Sequence, residues 1–307
     1  MVNNHARQYL GNNASGTGLL CLKEAIVVRK QILCLILYCL IVLCLTAGAE
    51  PCQIDILEES TVQYTIPDSQ GFIPAWLETA DKVPIGEDNR TVIEAPAHYP
   101  YSAIAMMCVS GGCVHGTWNG TGFMVNMDLL MTTGHCLYCP QCHTPASSIS
   151  LYFGYRNERN YLARYQGNGW HAWVTRQVAE GVDYQMMDYA IIQLEEPLGM
   201  QTGYFGIRWN VQDCELLEET CHVTGYRNGV LRDGTGRMEP ENAYSLIHYA
   251  DMEPGNSGAP VCDEQWHVIA INSAEDPEGK CNYAIRMTDA VSGYLMQLGF
   301  KDTQEQP

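Results

Sequence analysis

Three short stretches hold residue types from which nucleophilic chemistry can be assembled. Gly255-Asn256-Ser257-Gly258-Ala259-Pro260 sets a serine in a glycine-flanked turn. Glycine adopts torsions that a Cβ resists and lets a substrate carbonyl approach the backbone, so such a turn can aim several N–H groups at one point. That geometry suits an oxyanion, although Gly-x-Ser-Gly also occurs in ordinary turns. Residues 129–136 read as a β-prone apolar strand delivering His135 beside Cys136, which could pin the loop. The plain alternative is a loop histidine bonded to nearby backbone. Residues 187–194 put Asp188 at the mouth of a strongly apolar strand, where a buried carboxylate needs a donor. Otherwise Asp188 is a turn residue that starts the strand. Asp183 is the rival acid.

The elements that must position these groups look like strands. Short apolar runs recur between Gly, Asn and Asp turn signals at 103–109, 122–125, 129–132, 150–153, 189–194, 221–225, 268–272 and 282–286. This is the rhythm of an all-β sandwich or barrel. One segment differs: residues 288–298 space Ala290, Val291, Tyr294, Leu295 and Leu298 by three and four, which predicts a closing amphipathic helix. Residues 50–82 show no period and read as a pro-segment or linker. No internal repeat or low-complexity tract is present.

Residues 32–45 are an unbroken apolar run behind Arg29 and Lys30 and ahead of Ala47-Gly48-Ala49, the three parts of a secretory signal with cleavage after Ala49. The run is roughly 14 residues, short of the ~20 that span a bilayer. The long leading segment keeps open a type II membrane anchor, or a later start codon. The cut leaves ten cysteines, Cys52, Cys108, Cys113, Cys136, Cys139, Cys142, Cys214, Cys221, Cys262 and Cys281, an even set that suggests up to five disulfides in an oxidising compartment. Asn89-Arg90-Thr91 and Asn119-Gly120-Thr121 are N-glycosylation sequons. A formal charge of −18 would repel nucleic-acid backbones and anionic membrane surfaces.

The chain order His135, Asp188, Ser257, each in its local context, resembles that of the chymotrypsin-like serine proteases. The sequence is similar to the glutamyl-endopeptidase (V8-like) branch across about residues 83–288. Further blocks carry the likeness: Ile85-Gly86-Glu87-Asp88-Asn89-Arg90, Tyr99-Pro100-Tyr101-Ser102-Ala103-Ile104, Thr121-Gly122-Phe123-Met124-Val125, Gly203-Tyr204-Phe205-Gly206 and Asn282-Tyr283-Ala284-Ile285-Arg286. The resemblance implies two six-stranded antiparallel β-barrels, about 83–200 and 201–307, with the helix closing the second. It implies His135 as general base, Asp188 as its orienting acid and Ser257 as nucleophile, in the cleft between barrels. Gly255 and Ser257 would supply oxyanion N–H groups, and no metal or cofactor is required. Substrates would be proteins or peptides, and an activating protease would cut after Lys82 to start the mature enzyme at Val83.

Departures from that pattern bear on specificity. Asn256 stands where trypsin-like enzymes pair an aspartate with the new N-terminus, and the glutamyl branch tolerates a neutral residue there. Glutamate-selective relatives hold the substrate carboxylate with a histidine and a hydroxyl residue at the places occupied here by Asn272 and Met252. Asp251 lies where trypsin keeps its lysine- and arginine-reading acid, and it reads either as that acid or as a carboxylate bonded within its own loop. Cleavage after glutamate is therefore expected to be weaker or less exclusive than in those relatives. Two other functions compete: a catalytically silent binding protein of the same fold, and a haem or metal module at Cys139-Pro140-Gln141-Cys142-His143 with Cys136.

Overall fold

The computed structural model describes residues 53–57, 85, 88–111, 116–167, 170–181, 187–276 and 279–300. The expected signal segment, the Lys82–Val83 junction, Asp183, Cys52 and Cys113 lie outside the described residues.

Strands β1 (Gln53–Leu57), β2 (Thr91–Val92), β3 (Ile104–Gly111), β4 (Thr117–Met124), β5 (Leu129–Thr132), β6 (Tyr138–Cys139), β7 (Thr144–Phe153) and β8 (Ala163–Gly167) come first. They are followed by β9 (His171–Thr175), helix α1 (Arg176–Glu180), β10 (Ala190–Gln193), α2 (Gly199–Thr202) and α3 (Asp213–Glu218). The rest are β11 (Thr220–Arg227), β12 (Val230–Pro240), β13 (Ser245–His248), β14 (Pro260–Cys262), β15 (Val268–Glu275), β16 (Asn282–Arg286) and α4 (Asp289–Gln297). Two β-barrel-like sheets result. One runs β1-β9-β10-β5-β4-β3-β7-β6 with β8 on β7; the other runs β11-β14-β15-β16-β13-β12-β2. An additional β11–β12 pairing closes six strands of the second sheet into a barrel, while the first is a half-barrel.

The first sheet departs from the expected antiparallel six in a definite way. β1 joins it parallel to β9, with Gln53 opposite His171 and Leu57 opposite Thr175. Part of the segment read as aperiodic is thus a strand, with Leu57 buried and Asp55 2.9 Å from His171 Nε2. Its five residues are too few to show a period by themselves.

Pairing explains how residues distant in sequence meet. β5 and β10 run antiparallel with Ala190 opposite Thr132, so the residues after β5 lie beside those before β10. His135 follows β5 in a short 3-10 turn over Gly134–Cys136, and Asp188 just precedes β10. Leu129, Leu130, Met131, Ile191 and Ile192 are fully buried, which anchors both strands. α4 forms where the 288–298 spacing predicts, burying Val291 and Leu295. Among the described residues no helix is long and apolar enough to cross a membrane.

The disulfide expectation is not met in the part that can be seen. Cys108, Cys136, Cys214, Cys221, Cys262 and Cys281 are free thiols. Cys221 and Cys262 sit on paired strands, but His222 is the residue opposite Cys262. Alternation then sends the two sulfurs to opposite faces and into different core clusters.

Candidate active site

Asp188 is fully buried and accepts three hydrogen bonds. The backbone N–H of His135 donates to Oδ1 at 2.9 Å, its Nδ1 lies 2.5 Å from Oδ2, and the Ser273 hydroxyl donates to Oδ2 at 2.6 Å. Because a carboxylate only accepts, Nδ1 carries a proton, and in the neutral imidazole Nε2 keeps its lone pair. Nε2 is buried and makes no hydrogen bond. Burial works against a charged imidazole, but the Asp188 carboxylate overrides it, with help from Cys136, and raises the His135 pKa above its ordinary 6.5.

Ser257 reaches the same place from the second barrel. Its carbonyl accepts the Thr121 N–H at 2.8 Å, and the thiol of Cys136, the residue after His135, lies 3.8 Å from that oxygen. The turn needs its glycine after the serine: Gly258 has φ +83°, and a Cβ there would fall 2.2 Å from both the Thr121 carbonyl and Thr132 Oγ1. Asn256 braces the turn without an ion pair, accepting from Glu253 N–H at 2.8 Å and donating to the Tyr226 carbonyl at 3.3 Å. Arg90, Arg232 and Arg227 approach the Glu253 carboxylate at 2.9, 3.0 and 3.4 Å, which fastens the loop before the turn. No acceptor among the described residues takes the N–H of Gly255 or Ser257.

A shallow cleft opens beside Ser257, walled by Met252, Asn272, Ser273 and Asn282, with Glu253 and Glu275 also lining it. Met252 and Asn272, two residues that the resemblance assigns to a specificity pocket, both line it. Asp251 does not line it. Its carboxylate is 2% exposed and is spent on the backbone N–H groups of Ile85, at 2.6 Å, and Asn89, at 2.9 Å. The structure thus takes Asp251 out of the pocket and makes it a clamp on the segment ahead of β2.

The remaining candidates have ordinary partners. His143 Nδ1 is 3.0 Å from the Ala179 carbonyl, and the Cys142 N–H lies 3.4 Å from Cys139 Sγ. Among the described residues no three His, Cys, Asp or Glu side chains are grouped to hold a metal. Asn119 is exposed, whereas Asn89 Nδ2 donates to the Thr235 carbonyl at 3.1 Å, a bond a glycan would displace.

Two polar residues at the site went unnoticed in the sequence. Ser273 looks like one more small residue in an apolar strand, and nothing local reveals that it faces Asp188. His248, fully buried with Nε2 2.9 Å from Asn272 Oδ1, sits alone in a strand whose neighbours carry no sign of the contact.

Known proteins share parts of this sequence and fold. A trypsin-like peptidase domain is matched over residues 120–271. Glutamyl endopeptidase of Bacillus licheniformis is 28% identical over 244 residues, 76% of this chain and 69% of the relative. A Bacillus subtilis protein named extracellular metalloprotease is 29% identical over 182 residues, 58% of this chain and 56% of the relative. The chain thus spans about two thirds of the first relative and just over half of the second. A solved structure of a Glu endopeptidase in complex with MPD superposes with a TM-score of 0.60 at 21% identity, covering 71% of this chain and 100% of that one, a likeness of fold. The trypsin-like peptidase domain match and the glutamyl endopeptidase relative together support a serine endopeptidase, and the solved structure adds a likeness of fold.

Proposed function

We propose that this endopeptidase cleaves peptide bonds through a Ser257–His135–Asp188 triad. The observation that carries the reading is the double engagement of Asp188 with His135, through Nδ1 and through the backbone N–H, which fixes the imidazole with a basic Nε2 and no partner. A buried nitrogen left unpaired costs about 1–3 kcal/mol, a cost relieved when the Ser257 hydroxyl turns toward it as substrate arrives.

In the first half-reaction Ser257 Oγ attacks the scissile carbonyl carbon while its proton passes to His135 Nε2. The carbonyl oxygen becomes an oxyanion, held by the uncommitted N–H groups of Gly255 and Ser257, and Asp188 stabilises the imidazolium. The C–N bond then breaks as Nε2 returns the proton to the leaving amine, leaving an acyl-serine. Water repeats the sequence: it gives a proton to Nε2, attacks the ester carbonyl and releases the carboxylic acid and free Ser257. Ser273 donates to the same Asp188 Oδ2 that faces His135 Nδ1 and so positions the acid.

Protein or peptide substrates follow from the family. We propose further that residues 1–49 direct secretion and that a cut after Lys82 produces the active form, by an activating protease. The test of the triad is turnover. Ser257→Ala should lower kcat by on the order of 10⁶ with the fold retained, and more than about 1% residual activity would reassign the nucleophile.

A further inference from the structure

Two carboxamides in the cleft wall have orientations fixed by groups that can only accept. Asn272 places Nδ2 3.0 Å from the Asn256 carbonyl oxygen, and Asn282 places Nδ2 2.8 Å from the Ala250 carbonyl oxygen. A carbonyl cannot donate, so each contacting atom is the NH₂ group and each Oδ1 is the other end. In Asn272 that Oδ1 meets His248 Nε2 at 2.9 Å, which therefore carries the proton. The ring stays neutral at ordinary pH, since burial pulls the His248 pKa down to about 4 despite its bond to Asn272.

This leaves two unused groups of opposite kind. Asn272 has a second N–H, and Asn282 Oδ1 receives no donor among the described residues. Both side chains line the same cleft as Ser257 and are almost entirely shielded, at 5% and 2% exposure. We infer that the cleft selects a primary carboxamide, the side chain of glutamine or asparagine before the scissile bond, whose oxygen accepts from Asn272 and whose NH₂ donates to Asn282 Oδ1. The inference rests on the proposed triad, because it takes the cleft beside Ser257 as the substrate pocket.

The alternatives each leave something unpaired. A carboxylate satisfies Asn272 but sets like-signed oxygen against Asn282 Oδ1, in a cleft lined by Glu253 and Glu275 and by no Lys, Arg or His among the described residues. The nearby arginines do not line it and are drawn to Glu253. A lysine supplies donors but nothing for the Asn272 N–H. Methionine matches glutamine in length and satisfies neither group. A site built to hydrogen-bond a substrate group rejects analogues that lack it more strongly than it senses a lost methylene.

The experiment compares kcat/KM of the purified protein on peptides identical except for Gln, Asn, Glu, Met, Leu or Lys before the scissile bond. Gln or Asn should exceed Met and Glu by at least about tenfold. In Asn272→Leu the carboxamide-to-Met ratio should collapse toward unity, with fluorophosphonate labelling of Ser257 reporting whether the site is still assembled. If that variant fails to label, the wild-type profile decides by itself. Labelled enzyme that favours Glu, Met or Lys over both carboxamides overturns the inference and leaves the triad standing. Protein that neither labels nor cleaves any peptide overturns the triad reading, and the inference with it.

Discussion

Replacing Asp188 by asparagine separates the proposed orienting acid from a merely structural carboxylate. Three donors converge on the native side chain, at 2.9 Å on Oδ1 and at 2.5 and 2.6 Å on Oδ2. If the new NH₂ faced the His135 backbone N–H, two donors would collide in a site with no solvent, costing about 1–3 kcal/mol. The carboxamide therefore settles with its oxygen on that N–H and its NH₂ toward Nδ1 and Ser273, whose hydroxyl can rotate to accept. Nδ1 must then offer its lone pair, the proton moves to Nε2, and the base is occupied. The tautomer bias supplies roughly one to two decades, and the lost pairing with the imidazolium adds more, for about 10⁴ in kcat in all. The assay is kcat for purified Asp188→Asn, with circular dichroism as the check on folding. A folded variant within about tenfold of wild type would refute the reasoning and return attention to Asp183.

Activity requires an unprotonated Nε2, so kcat/KM must fall as pH drops through the His135 pKa; since Asp188 raises that value, the acid limb should lie above pH 6.5 and move downward in Asp188→Asn. A wild-type midpoint below 6.5 would contradict it. Asp251→Ala should cost about 3 kcal/mol in urea unfolding, because two backbone N–H groups lose a charged, buried acceptor, with little change in the Lys-to-Leu cleavage ratio. A variant of unchanged stability but altered Lys selectivity would put Asp251 back in the pocket. Gly258→Ala should destabilise the protein by at least about 3 kcal/mol, read as a lowered Tm, since its Cβ would strike Thr121 and Thr132.

How far the sequence foretold this structure depended on how local each feature is. β5 and β16 match their apolar runs end for end, and α4 sits within the predicted helical window, because burial on one face leaves a periodic trace. β12 was invisible: Gly234 and Gly236 interrupt any strand pattern. They are there because Cβ atoms would lie 2.7 Å from the Asp251 carbonyl oxygen and 2.2 Å from Ala250 N, the backbone of the residue whose carboxylate holds Ile85 and Asn89 and of its neighbour. A feature that builds the site thus erased its own signal. The chain order of His135, Asp188 and Ser257 was legible because each occupies a distinctive local setting. Ser273 and His248 were not, since their partners Asp188 and Asn272 are 85 and 24 residues away and meet them only after folding. The role of Asp251 stayed open for the same reason: spacing from Ser257 gives its position in the loop, not the direction of its carboxylate.

The central claim is that Ser257 is a nucleophile activated by His135. Incubating the purified protein with a fluorophosphonate probe and mapping the adduct by peptide mass spectrometry tests it most directly. One phosphonyl group on Ser257, formed at a rate that falls sharply in His135→Ala, is the predicted result. Folded protein that takes up no probe, or takes it up equally well without His135, would contradict the account.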